Sequence, residues 1–544
     1  MDTALSGVED RYALSPIQQT LLDESLSAQA GSRIGLLQLV WDLLEPLDLE
    51  AFERAWGRLA ERHPILRTRL ALSGRAEPCQ EVLRRAPPPF ATCDWTAVPP
   101  ERQEELLSGW LLEDRRRGLD LTRAPLLRVM VARWSPGHHR VVLTIHHTLF
   151  DGRTLLALIQ EVFAFYESIS RGQDLELPPP RPYRAYVEWL AAQDQERARA
   201  YWQQTLQGIR EPTALGIERP AGGQGGKEAA PVWLYDDISI WLSQESTGAL
   251  LSFAHRLGLT LNTLLLGAWS YILGRYSARR DVLFGVVRTH RGAMPDGAAI
   301  LGPMMGSMPL RVIIAPDLDL ATWLQTLRSR WLAMRAADFV SPAAIRGWSE
   351  LAPHAPLFEN LVLFETHELT EHLRRKGADW QARSFRFVRQ SRVPLSVYGY
   401  LEKRLSLKII WDPDRFDRLP IQRLLGQLRT VLEAMPCAEV PRLEELPLLS
   451  APERQQLLVE WNDTVRTGIP VPVHRRFEQH AHRSPQTLAA EDPAGRRTYG
   501  QLDAGADRLA RVLAARGVGP GVLVGVYLER SADQAQVLLA VLKA

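Results

Sequence analysis

Two adjacent histidines open the segment His146-His147-Thr148-Leu149-Phe150-Asp151-Gly152, which closes on an Asp-Gly pair. An imidazole exchanges a proton near neutral pH, which suits activation of an amine or alcohol nucleophile. Asp151 can orient a side chain or brace the loop through an arginine. Gly152 lets the backbone approach a ligand, and its N–H can serve an oxyanion. On the residues alone this is a candidate base for an acyltransferase or a hydrolase. Two other readings stand beside it. Both histidines can be structural, with Asp151 capping the helix that follows. A metal site would need further ligands, for which His138 and His139 are the near candidates.

The flanking sequence says how such a loop is held. Residues 140–145 (Arg-Val-Val-Leu-Thr-Ile) are rich in β-branched types and predict a buried strand. Successive strand side chains face opposite ways, so His146 and His147 point apart and one of them faces a reaction space. Residues 154–168 carry Leu155, Leu158, Ile159, Val162 and Tyr166 on one helical stripe. The histidines therefore lie on a loop fixed at both ends, between strand and helix. Residues 49–62 predict an amphipathic helix through Phe52, Trp56, Leu59 and Ala60. Residues 262–276 predict an apolar helix and 281–287 a strand. This mixed order points to α/β layers.

The 544 residues suffice for roughly three compact units. Basic and acidic side chains number 65 and 63, so there is no general field for nucleic acid. Arg115-Arg116-Arg117 sits beside acids and reads as a solvated helix face. The three cysteines (Cys79, Cys93, Cys437) are too widely spaced for a zinc knuckle or redox pair and read as buried or incidental. The N-terminus lacks a secretory pattern, and no apolar run reaches membrane-spanning length. A soluble, cytoplasmic protein without bound metal is expected, with neither nucleic acid nor membrane as a partner. Pro/Gly clusters at 178–182, 220–226 and 446–472 are the linker candidates.

The segment His146 to Gly152 resembles the His-His-x-x-x-Asp-Gly signature of condensation domains in nonribosomal peptide synthetases. Further segments resemble that family's other motifs, in order. They are Leu14-Ser15-Pro16-Ile17-Gln18-Gln19, Arg62-His63-Pro64-Ile65-Leu66-Arg67-Thr68, and Tyr183-Arg184-Ala185-Tyr186-Val187-Glu188-Trp189. Leu301 through Arg311 and Ser391-Arg392-Val393-Pro394-Leu395 complete the set. Behind them, residues 446–464 are similar to the linker that precedes an adenylation domain. Thr498-Tyr499-Gly500-Gln501-Leu502 resembles the first adenylation motif, and residues 538–544 the start of the second.

The resemblance implies an α/β fold of two chloramphenicol-acetyltransferase-like lobes in a V around a central tunnel, plus a partial adenylation N-terminal subdomain. The implied boundaries are 1–175 and 176–445 for the two lobes, 446–465 for the linker and 466–544 for the adenylation fragment. The implied reaction joins a donor acyl thioester to the amine of an acceptor aminoacyl thioester. Both ride on the 4′-phosphopantetheine of carrier proteins, and the domain itself binds no cofactor. Upstream and downstream carriers and the adjacent adenylation domain are the expected partners of a monomer. His147 faces the tunnel, as base or as positioning group. His146 is structural. Asp151 braces the loop against Arg291, with Arg288 as the fallback, and Gly152 keeps the thioester path clear. Arg153 stands where the family has tryptophan, and Gly306-Ser307 where it has Asn-Thr, both on the substrate tunnel. Unusual substrates, an ester product or a silent carrier-docking role would follow from such departures, and a starter subtype would follow if Met1 is the natural start. Epimerisation domains share the signature but do not lead into adenylation domains, and heterocyclisation domains carry aspartates at the histidine positions.

Overall fold

The computed structural model describes residues 7–27, 35–72, 77–219, 235–352, 355–365, 383–388, 393–437, 442–464 and 471–544; within 383–388 the only side chain described is Phe385. The chain divides into two compact units, Met1–Glu453 and Arg454–Ala544.

In the first unit the chain begins with β1 (Val8–Ala13), α1 (Pro16–Ser27), β2 (Leu36–Leu43) and α2 (Leu49–Arg62). There follow β3 (Thr68–Ala71), β4 (Cys79–Leu83), β5 (Phe90–Asp94), α3 (Pro100–Arg117), β6 (Leu127–Ser135), β7 (His138–His146) and α4 (Gly152–Ser170). The second half adds α5 (Arg184–Ala191), α6 (Gln195–Leu206), β8 (Asp236–Trp241), α7 (Gln244–Arg256), α8 (Leu261–Ser277), β9 (Asp281–Thr289), β10 (Met305–Ile313) and α9 (Leu320–Ala333). It closes with β11 (Asn360–Glu365), β12 (Arg383–Val388), β13 (Leu395–Leu401), β14 (Leu405–Trp411) and the helix Arg418–Ala434.

Two sheets organise these elements. One has strand order β12-β2-β7-β6-β5 and the other β10-β9-β11-β13-β14-β8, beside a small sheet β1-β4-β3. In the first, β2 and β7 lie centrally and are buried along almost their whole length. Their Leu/Val/Ile content is what a strand covered on both faces requires. α2 starts at Asp48, whose carboxylate accepts from the Ala51 N–H, and buries Phe52, Ala55, Trp56 and Leu59. α4 buries Leu155, Leu158, Ile159, Val162 and Phe163, and α2 and α4 pack together. Each large apolar side chain so buried contributes roughly 1.5–3 kcal/mol.

In the second sheet β9, β11 and β13 run parallel and the remaining pairs antiparallel. α8 is buried from Leu264 to Gly274 without a polar stripe, the mark of a helix inside a core. Its Gly267 makes room for α9, since a Cβ there would lie 2.5 Å from Leu324 Cδ2. β12 breaks the simple division at residue 175. Although it follows β11 in sequence, it pairs antiparallel with β2, Arg383 opposite Leu43 and Val388 opposite Gln38.

One reading of the basic residues needs correction. Arg116 and Arg117 are exposed, but Arg115 is 2% exposed, with Nη1 3.5 Å from the Leu36 carbonyl. The turn of α3 that ends in Gly118 aims it under the first sheet, and burial brings its pKa down to about 10. Cys79 is buried, Cys93 half-buried and Cys437 exposed. No single helix among the described residues is long and apolar enough to cross a membrane.

In the second unit the helix Val473–Arg483 precedes a hairpin, β15 (Leu488–Asp492) and β16 (Gly495–Thr498), and the helices Tyr499–Ala515 and Ala532–Lys543. Thr498 and Gln501 form a reciprocal cap on the first of those two helices. Lys543 Nζ lies 2.6 Å from both Asp503 and Asp507.

Candidate active site

β7 ends at His146, and the chain turns at once into a short 3-10 segment, His147–Leu149, before Asp151 caps α4. The change from strand to turn sends the two imidazoles into different surroundings. His146 is 3% exposed. Its Nδ1 lies 3.3 Å from the Thr148 N–H, which donates to it, and 2.9 Å from Thr148 Oγ1. The ring proton therefore sits on Nε2, 3.2 Å from Ser25 Oγ. Burial, with a smaller effect of His147, pushes the His146 pKa down to about 3, so the ring is neutral at pH 7.

His147 is half-buried, its ring 4.9 Å from that of the buried Phe150. Its backbone N–H donates to the Gly35 carbonyl at 2.7 Å. Gly35 has φ +91, and a Cβ there would come within 2.8 Å of His146 Nε2 and Ser25 Oγ. Glycine is needed at this position both for the backbone conformation and for the space.

Asp151 is 1% exposed and fully engaged. Oδ1 accepts the Thr154 N–H at 2.8 Å and Oδ2 the Met304 N–H at 3.0 Å. Arg291 Nη2 reaches the two oxygens at 2.9 and 3.0 Å. The same nitrogen donates to Thr154 Oγ1 at 2.8 Å and to the Gly302 carbonyl at 2.9 Å. Asp151 thus caps α4 and ties that helix to the segment between β9 and β10. Arg288 is committed elsewhere. Its Nε pairs with Asp338 at 2.8 Å, and its guanidinium lies over Trp331. His290 joins Asp338 to Tyr186 in the same buried group.

Gly152 and Arg153 are exposed at the start of α4. A Cβ on Gly152 would meet only Glu365 Oε1, at 4.0 Å, so the space in front of this glycine is open. Gly306 and Ser307 are half-buried on β10, opposite Arg288 and Val287 of β9. A Cβ on Gly306 would lie 3.2 Å from Ile17 Cγ1 on α1. The first turn of α1 therefore covers Gly306 through Ile17 and reaches the His147 turn through Gln18, whose Nε2 donates to the Thr148 carbonyl at 3.1 Å. Tyr183 extends the framework. Its hydroxyl lies 2.8 Å from Ser15 Oγ and 2.7 Å from the Pro303 carbonyl, to which it donates.

Gln18, Thr148, Thr154 and Tyr183 received no role from the sequence. Gln18, Thr148 and Tyr183 lie in motifs that the resemblance picked out, but only geometry gives them partners. Among the described residues no group of three or more His, Cys, Asp or Glu could hold a metal ion. His138 instead lies 2.9 Å from Asp42 Oδ1.

Comparison with known proteins bears on the family and the fold. The condensation-domain family model matches residues 8–458, and the AMP-binding enzyme model matches residues 477–544. A linear gramicidin synthase polypeptide of Brevibacillus parabrevis is 34% identical over 99% of this chain, which spans 11% of that protein. Bacitracin synthase 3 of Bacillus licheniformis is 29% identical over 99% of this chain, which spans 8% of it. Among solved structures, the first condensation domain of the calcium-dependent antibiotic synthetase shares the fold over 81% of this chain and 100% of its own. The TM-score is 0.63 and the identity 17%. The nonribosomal peptide synthetase FmoA3 shares it over 99% of this chain and 55% of its own, with a TM-score of 0.76 and 24% identity. With a signature loop anchored as described and a family match over residues 8–458, this chain belongs to the condensation-domain family of nonribosomal peptide synthetases, followed by the beginning of an AMP-binding region.

Proposed function

We propose that residues 8–458 catalyse amide bond formation between two carrier-bound substrates. The amine of an acceptor aminoacyl thioester attacks the carbonyl carbon of a donor acyl or peptidyl thioester. The C–N bond forms, the C–S bond breaks, and the thiol leaves with the proton that the amine gives up. Upstream and downstream carrier proteins present the two substrates on 4′-phosphopantetheine arms, and the domain supplies no cofactor of its own.

One observation carries this reading. His147 sits half-buried on a turn whose neighbours are tied down on both sides, by Gly35 before it and by Asp151–Arg291 after it. Such a group is held for reaction. His147 receives the amine proton or orients the amine. His146, neutral and enclosed, supports the turn. Gly152 leaves room for the thioester, and Arg153, Gly306 and Ser307 line the substrate path. The two sheets form two lobes in a V around a tunnel that admits the arms from opposite mouths. A boundary at 175 divides the lobes except for β12, which returns to the first sheet, and boundaries at 445 and 465 set off the linker and the adenylation region.

The test supplies an acyl-loaded donor carrier and an aminoacyl-loaded acceptor carrier and follows product by intact-protein mass. Transfer by the wild type and its loss in His147→Ala are expected. No transfer by the wild type, or undiminished transfer by His147→Ala, overturns the reading.

A further inference from the structure

We propose that Gln18 is a positioning residue for acyl transfer, acting through the carbonyl of Thr148 on the turn that carries His147. The inference rests on the reading of residues 8–458 as the acyl-transfer region.

Gln18 is 0% exposed, and its amide is used to capacity. Nε2 donates to the Thr148 carbonyl at 3.1 Å and to Gln80 Oε1 at 3.1 Å. Oε1 accepts from the Ser15 N–H at 3.0 Å and from Gln80 Nε2 at 2.8 Å. Gln18 and Gln80 thus form a reciprocal amide pair in a dry setting. The Ser15 side chain returns a bond to the Gln18 N–H at 3.2 Å, closing a cap on α1. The amide cannot rotate without breaking several of these bonds, so its second N–H is aimed at Thr148 before any substrate arrives.

Thr148 is the middle residue of the His147–Leu149 turn and is 0% exposed. Its N–H and hydroxyl engage His146 Nδ1. Its carbonyl would otherwise be a buried acceptor, and Gln18 is the donor the structure gives it. The turn is therefore fixed from inside by His146 and from outside by Gln18. A reacting geometry displaced by about 1 Å loses on the order of 100-fold in rate, so the hold on this carbonyl matters to the step in which His147 takes part.

Gln80 supplies the control, because it belongs to the same amide pair and does not touch the turn. Gln18→Met and Gln80→Met each break that pair and should lower the melting temperature, Gln18→Met by more because it also leaves the Thr148 carbonyl and the Ser15 N–H without this partner. Multiple-turnover transfer between loaded carriers should fall about 10- to 100-fold in kcat for Gln18→Met, with KM for both carriers unchanged. Gln80→Met should stay within about threefold of wild type, its turn contact being intact. Should Gln18→Met be insoluble, Gln18→Leu is read in the same way, since it also lacks the donor to Thr148 and adds no buried charge. Equal kcat in the Gln18 and Gln80 variants overturns the inference. A wild type without transfer overturns the proposed function instead. Amide exchange at residues 148–150 then decides the hold of Gln18 on the turn: faster exchange in Gln18→Met than in Gln80→Met supports it, and equal exchange overturns it.

Discussion

Asp151 and Arg291 stand 140 residues apart in the chain and meet at 2.9 Å with both side chains buried. The pair joins the first turn of α4 to the segment that follows β9, and it leaves neither charge open to water. Removing one partner strands the other. Arg291→Met should therefore destabilise the first unit by about 3–5 kcal/mol, read by urea denaturation. Asp151→Asn, which keeps an oxygen for the Thr154 N–H, should cost less.

His146 predicts a pH dependence. Its folded pKa, about 3, lies below the ordinary value of 6.5, so the unfolded chain binds the extra proton. Stability from this group is therefore full above about pH 6.5 and falls as the pH is lowered toward 3, by at most roughly 1.4 kcal/mol per pH unit. Unfolding free energies of wild type and His146→Gln, measured from pH 7.5 to 5, should show a steeper decline in the wild type.

Two glycines near the loop should respond in opposite ways. Gly302 has φ +142, and a Cβ there would stand 2.1 Å from the Tyr183 ring. Gly302→Ala should lower the melting temperature sharply and reduce soluble yield. Gly152 begins α4 with open space before it, so Gly152→Ala should melt within a few degrees of wild type. Its transfer rate should nevertheless fall, because the added methyl occupies the approach to His147.

Ile17 and Gly306 form a size-matched contact. Gly306→Asn forces Ile17 to move and should cost about 1–3 kcal/mol. Adding Ile17→Val should recover part of that loss. The double-mutant cycle read by thermal denaturation should show coupling, since the two residues touch.

Local patterning carried much of the fold. The helix at 49–62 and the strand, loop and helix around His147 follow from apolar spacing and β-branched content, and the second helix runs Gly152–Ser170, starting earlier than residue 154 because Asp151 caps it. Arg115 was illegible, since three consecutive arginines look alike in sequence and only packing beneath the first sheet selects one of them. The side-chain amide of Gln18 likewise has no sequence signal for its partner, 130 residues away. Pairing across such distances is decided by tertiary geometry, and for Asp151 and Arg291 a resemblance to relatives was the means of naming partners in advance.

The place of β12 beside β2 bears on how this protein can be cut. A piece ending near residue 175 would lack residues 383–388 and leave one side of β2 with unsatisfied backbone donors and acceptors. Phe385 of β12 also lies directly opposite Trp41 of β2, with the two rings 5.9 Å apart, so that apolar partner would be lost with the strand. An apolar open edge of this kind recruits strands from other molecules. The amino-terminal half produced alone should self-associate, and a synthetic peptide spanning β12 should suppress that association by taking the vacant place.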